Sequence, residues 1–212
     1  MAYAGCDLAS TQDTTAFVMT FPPADGRVLV KPFIFLPEDN VGGLFKRQKR
    51  DKAPYQQWAA AGHLILTPGN VIDFNIVAET IIEQAKLYDL REVRMDPHAA
   101  SSISAKFEAA GITVTYVRQG WSLSQAFKAS EALIHTGQLV HPDSPVLNRE
   151  MSNAVVHTDR LENIWLDKAK STRRIDAAVA LVMAVNGMKF GQGSEPADSD
   201  HYYARHPELI VL

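Results

Sequence analysis

The sequence predicts an α/β domain with a mixed central sheet and helices on both of its faces. The first observation behind this prediction is that three strand-like segments follow one another with short connections, at residues 3–9, 14–21 and 28–36. Such an order is typical of an antiparallel meander. The second observation is that strand-like and helix-like segments alternate from residue 63 onward, which is typical of parallel strands joined by helices.

The composition and the turns of the first three strands support the meander. Residues 14–21, TTAFVMTF, are β-branched and aromatic, as expected of a buried strand. Asp25 and Gly26 form a dipeptide that favours a tight hairpin turn between the second and third strands. Pro32 lies inside the third strand and has no N–H to donate, so that point is expected to lie at an edge or a bulge.

The remaining elements are predicted in order along the chain. The basic segment 38–61 is expected to hold short helices anchored by Tyr55 and Trp58. Ser122 with Gln125 forms a capping-box pattern, and Asp73 is the predicted N-cap of another helix. Apolar residues at helical spacing predict helices at residues 74–89, 99–110, 122–136, 145–154 and 173–188. Short strands are predicted at residues 63–70, 91–96 and 112–117, and as a hairpin within 155–170.

The composition is that of a globular protein with enough apolar material for a substantial core. Of 212 residues, 46% are hydrophobic and 21% are charged, and the formal net charge is -3. The single cysteine, Cys6, excludes a disulfide framework, and no apolar run is long enough to span a membrane. We therefore expect a soluble intracellular protein in which residues 1–190 form one domain. Residues 191–212 are rich in Gly, Ser, Pro and Asp and are expected to form a polar, flexible tail.

Three aspartates occupy positions at which sheet-built active sites gather their ligands. Asp7 ends the first strand, Asp96 ends the strand at 91–96, and Asp176 lies near the start of the last helix. Ligands of open α/β sheets bind outside the carboxyl ends of the strands. Each aspartate also has an ordinary structural explanation. Asp7 could cap a turn, Asp96 could cap a helix, and Asp176 could complement the helix dipole.

Three converging carboxylates need a compensating positive charge, because like charges at short range disfavour ionisation. The cation that suits carboxylate oxygens together with water and phosphate is Mg²⁺ or Mn²⁺. Two such ions can activate a water molecule and stabilise the leaving oxygen of a phosphodiester. The three aspartates therefore predict nuclease chemistry, and the small residues Gly5 and Ala9 are expected to leave space beside Asp7 for metal and phosphate.

Five stretches, taken in order, resemble the nuclease domain of phage terminase large subunits. They are GCDLAST, TPGNVIDF, REVRMDPHAA, VRQGW and KSTRRIDAAVALVMA, and the resemblance extends over nearly all of residues 3–188. The resemblance implies an RNase H-like fold and a nuclease that uses two divalent ions, Mg²⁺ or Mn²⁺, to cut concatemeric double-stranded phage DNA. On that pattern Asp7, Asp96 and Asp176 match the acidic metal ligands and are the predicted catalytic residues.

A complete terminase large subunit also carries an N-terminal packaging ATPase. This chain contains no GxxxxGK[ST] phosphate-binding loop, so we interpret it as an isolated nuclease domain. For the full-length protein the resemblance implies that ATPase domain, the small terminase subunit, the portal and double-stranded DNA as partners. It also implies a location in the cytoplasm of the infected bacterial host, with no membrane partner.

Two basic clusters are candidates for contacts with the DNA backbone. The first comprises Lys46, Arg47, Lys49, Arg50 and Lys52, for which a solvated charged face is the favoured interpretation. The predicted DNA-binding cluster is the second, which directly precedes Asp176 and comprises Lys168, Lys170, Arg173 and Arg174. No segment is typical of base recognition, so little sequence preference is expected. His98 could approach a metal or a phosphate, although an exposed helix start is favoured for it.

Two other classes of function stay open. GCDLAST also resembles the first phosphate loop of sugar kinases and actin-like ATPases, although this chain is short for their two-domain architecture. The acids could instead be structural, in a non-catalytic domain that docks onto a portal or another packaging protein. DNA cleavage with Mg²⁺ or Mn²⁺ that is lost when the aspartates become asparagine separates the nuclease from both.

Overall fold

The computed structural model describes residues 1–9, 14–38, 43–97 and 103–191. In chain order its strands are β1 (Ala2–Asp7), β2 (Thr15–Thr20), β3 (Val28–Glu38), β4 (Ile65–Pro68), β5 (Leu90–Met95), β6 (Val114–Tyr116), β7 (Leu139–Val140), β8 (Val156–Thr158) and β9 (Ile164–Leu166). Its α-helices are α1 (Gly43–Asp51), α2 (Tyr55–Ala60), α3 (Phe74–Leu87), α4 (Ser104–Ala109), α5 (Ser124–His135), α6 (Pro145–Asn153) and α7 (Asp176–Phe190).

A mixed sheet forms the centre of the molecule. Within the described residues it has seven strands in the order β4-β3-β2-β1-β5-β6, with β7 pairing to β3. The pairs β1–β2 and β2–β3 are antiparallel, which confirms the predicted meander. The pairs β1–β5, β5–β6 and β3–β4 are parallel, and β8 and β9 form a separate antiparallel hairpin. The predicted α/β fold class is thus confirmed.

Local signals in the meander act as the sequence predicts. Asp25 and Gly26 both have positive φ and lie between Ala24 and Arg27, whose main chains exchange hydrogen bonds. Pro32 pairs with Val18 of β2 on one side. On its other side, β3 pairs with β7 only before Pro32 and with β4 only after it. Pro32 therefore lies at a local edge of the sheet, as its missing N–H requires.

Helices cover both faces of the sheet. On one face α7 packs across β1 and β2, and Tyr3 joins the core that contains Ala180. On the other face Cys6 is buried in a core that contains Val77 of α3 and Phe107 of α4. Alternate residues of β1 therefore enter different cores, because successive side chains of a strand point to opposite faces.

Helix α7 approaches β1 so closely that only glycine fits at the contact. A Cβ atom on Gly5 would lie 2.0 Å from the carbonyl oxygen of Ala180 and 2.7 Å from the amide nitrogen of Ala184. Gly5 was expected to leave space beside Asp7, and this expectation is wrong because α7 occupies that space. Every residue from Asp176 to Met188 is buried, so α7 is a central helix that is buried on all sides except at its last two residues.

Some predicted features differ or lie outside the described residues. The predicted capping box of Ser122 and Gln125 is wrong. The Ser122 hydroxyl donates to the Arg118 carbonyl instead, and Trp121–Leu123 forms a 3-10 turn before α5. His98 lies outside the described residues, as do residues 192–212 of the predicted tail. In the part of the chain that is described, no helix combines the length and the apolar character needed to cross a bilayer.

Candidate active site

Packing of α7 across β1 brings Asp7 and Asp176 to the same ammonium group, that of Lys168. The Nζ atom of Lys168 lies 2.5 Å from Oδ2 of Asp7 and 3.4 Å from Oδ1 of Asp176. The side chains of Asp7 and Asp176 are 4% and 9% exposed, whereas that of Lys168 is 41% exposed. The structure therefore unites two of the three predicted aspartates around a positive charge that can be reached from solvent.

The second oxygen of each carboxylate accepts a hydrogen bond from a neutral donor. The Nε2 atom of Gln119 donates to Oδ1 of Asp7 at 3.0 Å. The hydroxyl of Thr14 lies 2.6 Å from Oδ2 of Asp176. Each aspartate is thus held at one oxygen and presents the other to the position of the Lys168 ammonium.

Burial and charge set the protonation of this cluster. Burial raises the pKa of Asp7 to about 7, with Lys168 acting in the opposite direction and the nearby charge of Asp176 adding to the increase. Burial alone would lower the pKa of Lys168, yet the two carboxylates raise it above its usual value. The ammonium therefore stays charged and offsets the cost of ionising two buried acids.

Asp96 lies at the same edge of the sheet as Asp7. β1 and β5 are parallel with Cys6 opposite Met95, so Asp7 and Asp96 are the residues next in line on neighbouring strands. Arg94 of β5 donates a hydrogen bond to Asn186 of α7, so its side chain lies on the α7 face of the sheet. Residues two apart in a strand share a face, and Asp96 therefore follows on the α7 face as well. Among the described residues, however, no three His, Cys, Asp or Glu side chains form a group arranged to hold a metal ion.

A fourth acid, Glu150 of α6, adjoins this site and was not predicted. Its Oε1 atom lies 2.9 Å from the Thr14 hydroxyl, and its Oε2 atom accepts a 2.6 Å hydrogen bond from the amide of Ala177 in α7. Glu150 is only 3% exposed. Burial, followed by the charge of Asp176, raises the pKa of Glu150 to about 8.

One signal in the sequence could have revealed Glu150. Val146, Leu147 and Glu150 are the buried residues of α6 and share one face of the helix. A glutamate on the apolar face of an amphipathic helix needs a polar partner inside the fold. Gln119 lies within the VRQGW stretch but shows no such pattern, and Thr14 is an ordinary residue at the start of a strand.

The predicted DNA-binding cluster divides into residues with different surroundings. Lys168 contacts the two aspartates, whereas Lys170 lies 3.5 Å from Asp167 within the hairpin region. Arg174 is 10% exposed and contacts the carboxylate of Asp51 at 3.1 Å. Arg173 is exposed. These four residues are therefore not one continuous solvated patch.

A cavity of about 520 Å³ lies beside Asp176 and is lined by several basic side chains. Those of Lys168, Arg50, Arg149, Arg173 and Arg174 all reach it. Arg50 also pairs with Asp51 at 2.7 Å, and Arg47 is buried, so the first basic cluster is only partly a solvated face.

Comparison with known proteins identifies close and distant similarities. The family model described as "Terminase large subunit, endonuclease domain" matches residues 1–192. The chain is 34% identical over 206 residues to the terminase large subunit of Enterobacteria phage HK97, which covers 96% of this chain and 40% of that protein. The crystal structure of the HK97 large terminase matches with a TM-score of 0.80 at 34% identity, over 88% of this chain and 39% of that one.

A more distant structural match is the large terminase nuclease from thermophilic phage G20c. The TM-score is 0.55 at 15% identity, over 87% of this chain and 80% of that chain. The same nuclease with bound cobalt matches at a TM-score of 0.52 and 14% identity, over 88% and 80% of the two chains. These two matches agree with the predicted fold, while the family model and the HK97 relative agree with the nuclease interpretation rather than with the kinase or the docking alternative. The chain spans about 40% of the length of the HK97 protein.

Proposed function

The chain belongs to the family of terminase large-subunit endonuclease domains, and on that premise we propose that it hydrolyses DNA phosphodiesters with divalent cations. The observation that carries the proposal is the Lys168 ammonium held between Asp7 and Asp176. Two buried carboxylates that direct an oxygen at one point could hold a divalent cation there in place of the ammonium, and metal-dependent phosphodiester hydrolysis uses such ions. Lys168 is partly exposed, so a substrate can reach the two carboxylates from solvent.

The side chains at this point fit a divalent cation. Both aspartates present a carboxylate oxygen to the same positive charge, and hard oxygen ligands suit Mg²⁺ and Mn²⁺. We propose that Asp7, Asp96 and Asp176 hold two such ions, with Asp96 joining from the adjacent strand end. The fold likeness to a nuclease with bound cobalt supports the use of a divalent cation.

When bound, such ions supply the charge that polarises the scissile phosphate and lowers the pKa of an attacking water. The residues of this chain fix the geometry in which that can happen. Gln119 holds one oxygen of Asp7, and Thr14 holds one oxygen of Asp176. Lys168 must leave the carboxylates for a metal to take its place, and it already lines the neighbouring cavity. There its ammonium can contact a DNA phosphate.

The substrate in this proposal is double-stranded DNA, contacted through its backbone with little sequence preference. Lys168, Lys170, Arg173 and Arg174 are the proposed contact residues. Lys170 and Arg173 are both exposed, and Arg174 would act by holding its loop against Asp51. Purified chain that cuts at only one short defined sequence would contradict this part of the proposal.

The role of the whole protein is part of the same proposal. The similarity to the HK97 terminase large subunit supports cleavage of concatemeric viral DNA during genome packaging. An N-terminal ATPase domain, a small terminase subunit and a portal would be its partners in the cytoplasm of the infected host.

Plasmid nicking tests the proposal directly. The chain is incubated with supercoiled plasmid and Mg²⁺ or Mn²⁺, and a parallel reaction contains EDTA. We expect metal-dependent nicking that Asp7→Asn, Asp96→Asn and Asp176→Asn each abolish. Asp89→Asn changes an exposed aspartate that directly precedes β5, and this variant should behave like the wild type. Equal nicking by the wild type and the three site variants, or none by any of them, would contradict the proposal.

A further inference from the structure

We propose that Thr14 and Glu150 are positioning residues that fix the Asp176 carboxylate for metal binding. This inference rests on the proposed metal-dependent function and adds two residues that take no direct part in holding the metal. It is carried by a continuous chain of hydrogen bonds from α6, through the start of β2, to the first turn of α7.

The Thr14 hydroxyl joins the two acids. It lies 2.6 Å from Oδ2 of Asp176 and 2.9 Å from Oε1 of Glu150, and it is fully buried. A hydroxyl has one proton to donate, so it serves one of the two acids at a time, and its contact with Asp176 is the shorter of the two. With Oδ2 held in this way, the Asp176 side chain directs Oδ1 to the point that Lys168 occupies.

Glu150 holds the same helix end from its other side. Its Oε2 atom accepts from the Ala177 amide, which is one of the first N–H groups of α7 and has no partner within the helix. Asp176 directly precedes that amide in the chain. Glu150 therefore fixes the main chain of the first turn, while Thr14 fixes the carboxylate that extends from it.

The role of Thr14 at Asp176 matches that of Gln119 at Asp7. In both cases a neutral donor occupies one carboxylate oxygen and leaves the other directed at the shared cation. Such outer partners orient metal ligands, and their loss typically costs roughly 10-fold to 100-fold in metal affinity or activity. If Thr14 had only a structural role, its replacement would lower the stability of the fold without a separate loss of metal affinity.

Thr20, a buried threonine of β2, provides the matched control. The Thr20 hydroxyl donates to the Ala184 carbonyl of α7 at 3.2 Å, so it also links the sheet to this helix, but far from Asp176. Thr14→Val and Thr20→Val remove equivalent groups with almost no change of shape. Thr14→Ser keeps the hydroxyl and serves as the conservative rescue.

The experiment measures Mn²⁺ binding to the full 212-residue chain without DNA, by the loss of the free Mn²⁺ signal in electron paramagnetic resonance. Thermal melting in EDTA is recorded for every variant, and nicking rates at saturating Mn²⁺ follow. We expect Thr14→Val to weaken Mn²⁺ binding by roughly 10-fold or more, Thr20→Val to leave it unchanged, and Thr14→Ser to restore most of it.

Glu150 is tested by a separate pair of changes. Glu150→Gln can still accept from Ala177 and can donate its amide to Thr14, so we expect near wild-type Mn²⁺ binding, whereas Glu150→Ala should weaken it. Equal Mn²⁺ affinity of Thr14→Val and Thr20→Val in a chain that binds Mn²⁺ overturns the positioning role alone. A wild-type chain that binds no Mn²⁺ overturns this inference together with the proposed function.

Discussion

The Lys168 ammonium lies closer to Asp7 than to Asp176, at 2.5 Å against 3.4 Å, and it connects the carboxyl end of β1 to the start of α7. The two aspartates are 169 positions apart in the chain. A lysine from the loop before α7 therefore neutralises two acids from distant parts of the sequence. Any divalent ion that binds these carboxylates has to compete with this ammonium.

Removing the lysine charge should tighten metal binding and slow DNA cleavage. We expect Lys168→Met to bind Mn²⁺ about fivefold more tightly, because a partly exposed ion pair contributes on the order of 1 kcal/mol. Nicking at saturating Mn²⁺ should fall, since the cation proposed to contact the phosphate is lost. Lys86→Met, at an exposed lysine of α3 on the opposite side of the sheet, should alter neither quantity. Weaker Mn²⁺ binding by Lys168→Met would contradict the competition.

The buried Asp7 carboxylate should make stability depend on pH. Burial raises its pKa to about 7 in the folded chain, from a usual value of 3.8. Its contribution to stability is therefore complete below pH 3.8 and is lost as the pH rises toward 7. Asp7→Asn has no such loss, so its melting temperature in EDTA, relative to the wild type, should rise from pH 4 to pH 7 and then level off.

Added metal should reverse the order of the melting temperatures of Asp7→Asn and the wild type. At pH 8, Mg²⁺ is expected to raise the melting temperature of the wild type, because a ligand that binds only the folded state stabilises it. Asp7→Asn should show little response. Asp89→Asn serves as the control. Asp89 is exposed, so the melting temperature of this variant should follow that of the wild type both across the pH range in EDTA and on addition of Mg²⁺.

The pH series also tests the raised pKa of Asp7. If the difference in melting temperature between Asp7→Asn and the wild type in EDTA does not vary with pH, that pKa is not raised.

The contact at Gly5 predicts a large effect from one methyl group. Gly5→Ala would place a Cβ against the Ala180 carbonyl, so α7 must move away from β1. We expect a loss of about 1–3 kcal/mol or more in the free energy of unfolding, together with reduced nicking, because α7 carries Asp176. Cys6→Ala, a change on the opposite face of β1, should cost less and leave nicking intact. Chemical denaturation measures both variants, and equal stability of the two would contradict the close contact.

The exposed guanidinium of Arg173 should contribute to DNA affinity through a phosphate contact. Arg173→Ala is expected to weaken binding of unrelated duplexes by a similar factor and to lower the slope of log affinity against log salt by about one. Fluorescence anisotropy in EDTA measures binding without cleavage. Lys86→Ala, at an exposed lysine of α3 on the opposite side of the sheet, is the control. An unchanged salt slope for Arg173→Ala would contradict the contact.

Local chemistry was sufficient to predict most of the elements. The Asp25–Gly26 turn and the edge position of Pro32 follow from backbone properties of those residues, which do not depend on distant contacts. The Asp73 cap is confirmed, since its side chain accepts from the Asn75 amide. The capping box at Ser122 failed because that hydroxyl has a competing acceptor, the Arg118 carbonyl, one turn away.

By itself the sequence determined that Asp7 and Asp176 lie at the ends of buried elements, because hydrophobic periodicity marks those ends along the chain. Only the tertiary structure decided what surrounds them. Thr14, Gln119 and Glu150 come from segments separated by many residues, and nothing local relates them. They meet because Gly5 lets α7 pack directly on β1, which carries Asp176 to the end of that strand. The site therefore depends on one close helix–strand contact, whose partners are not neighbours in the sequence.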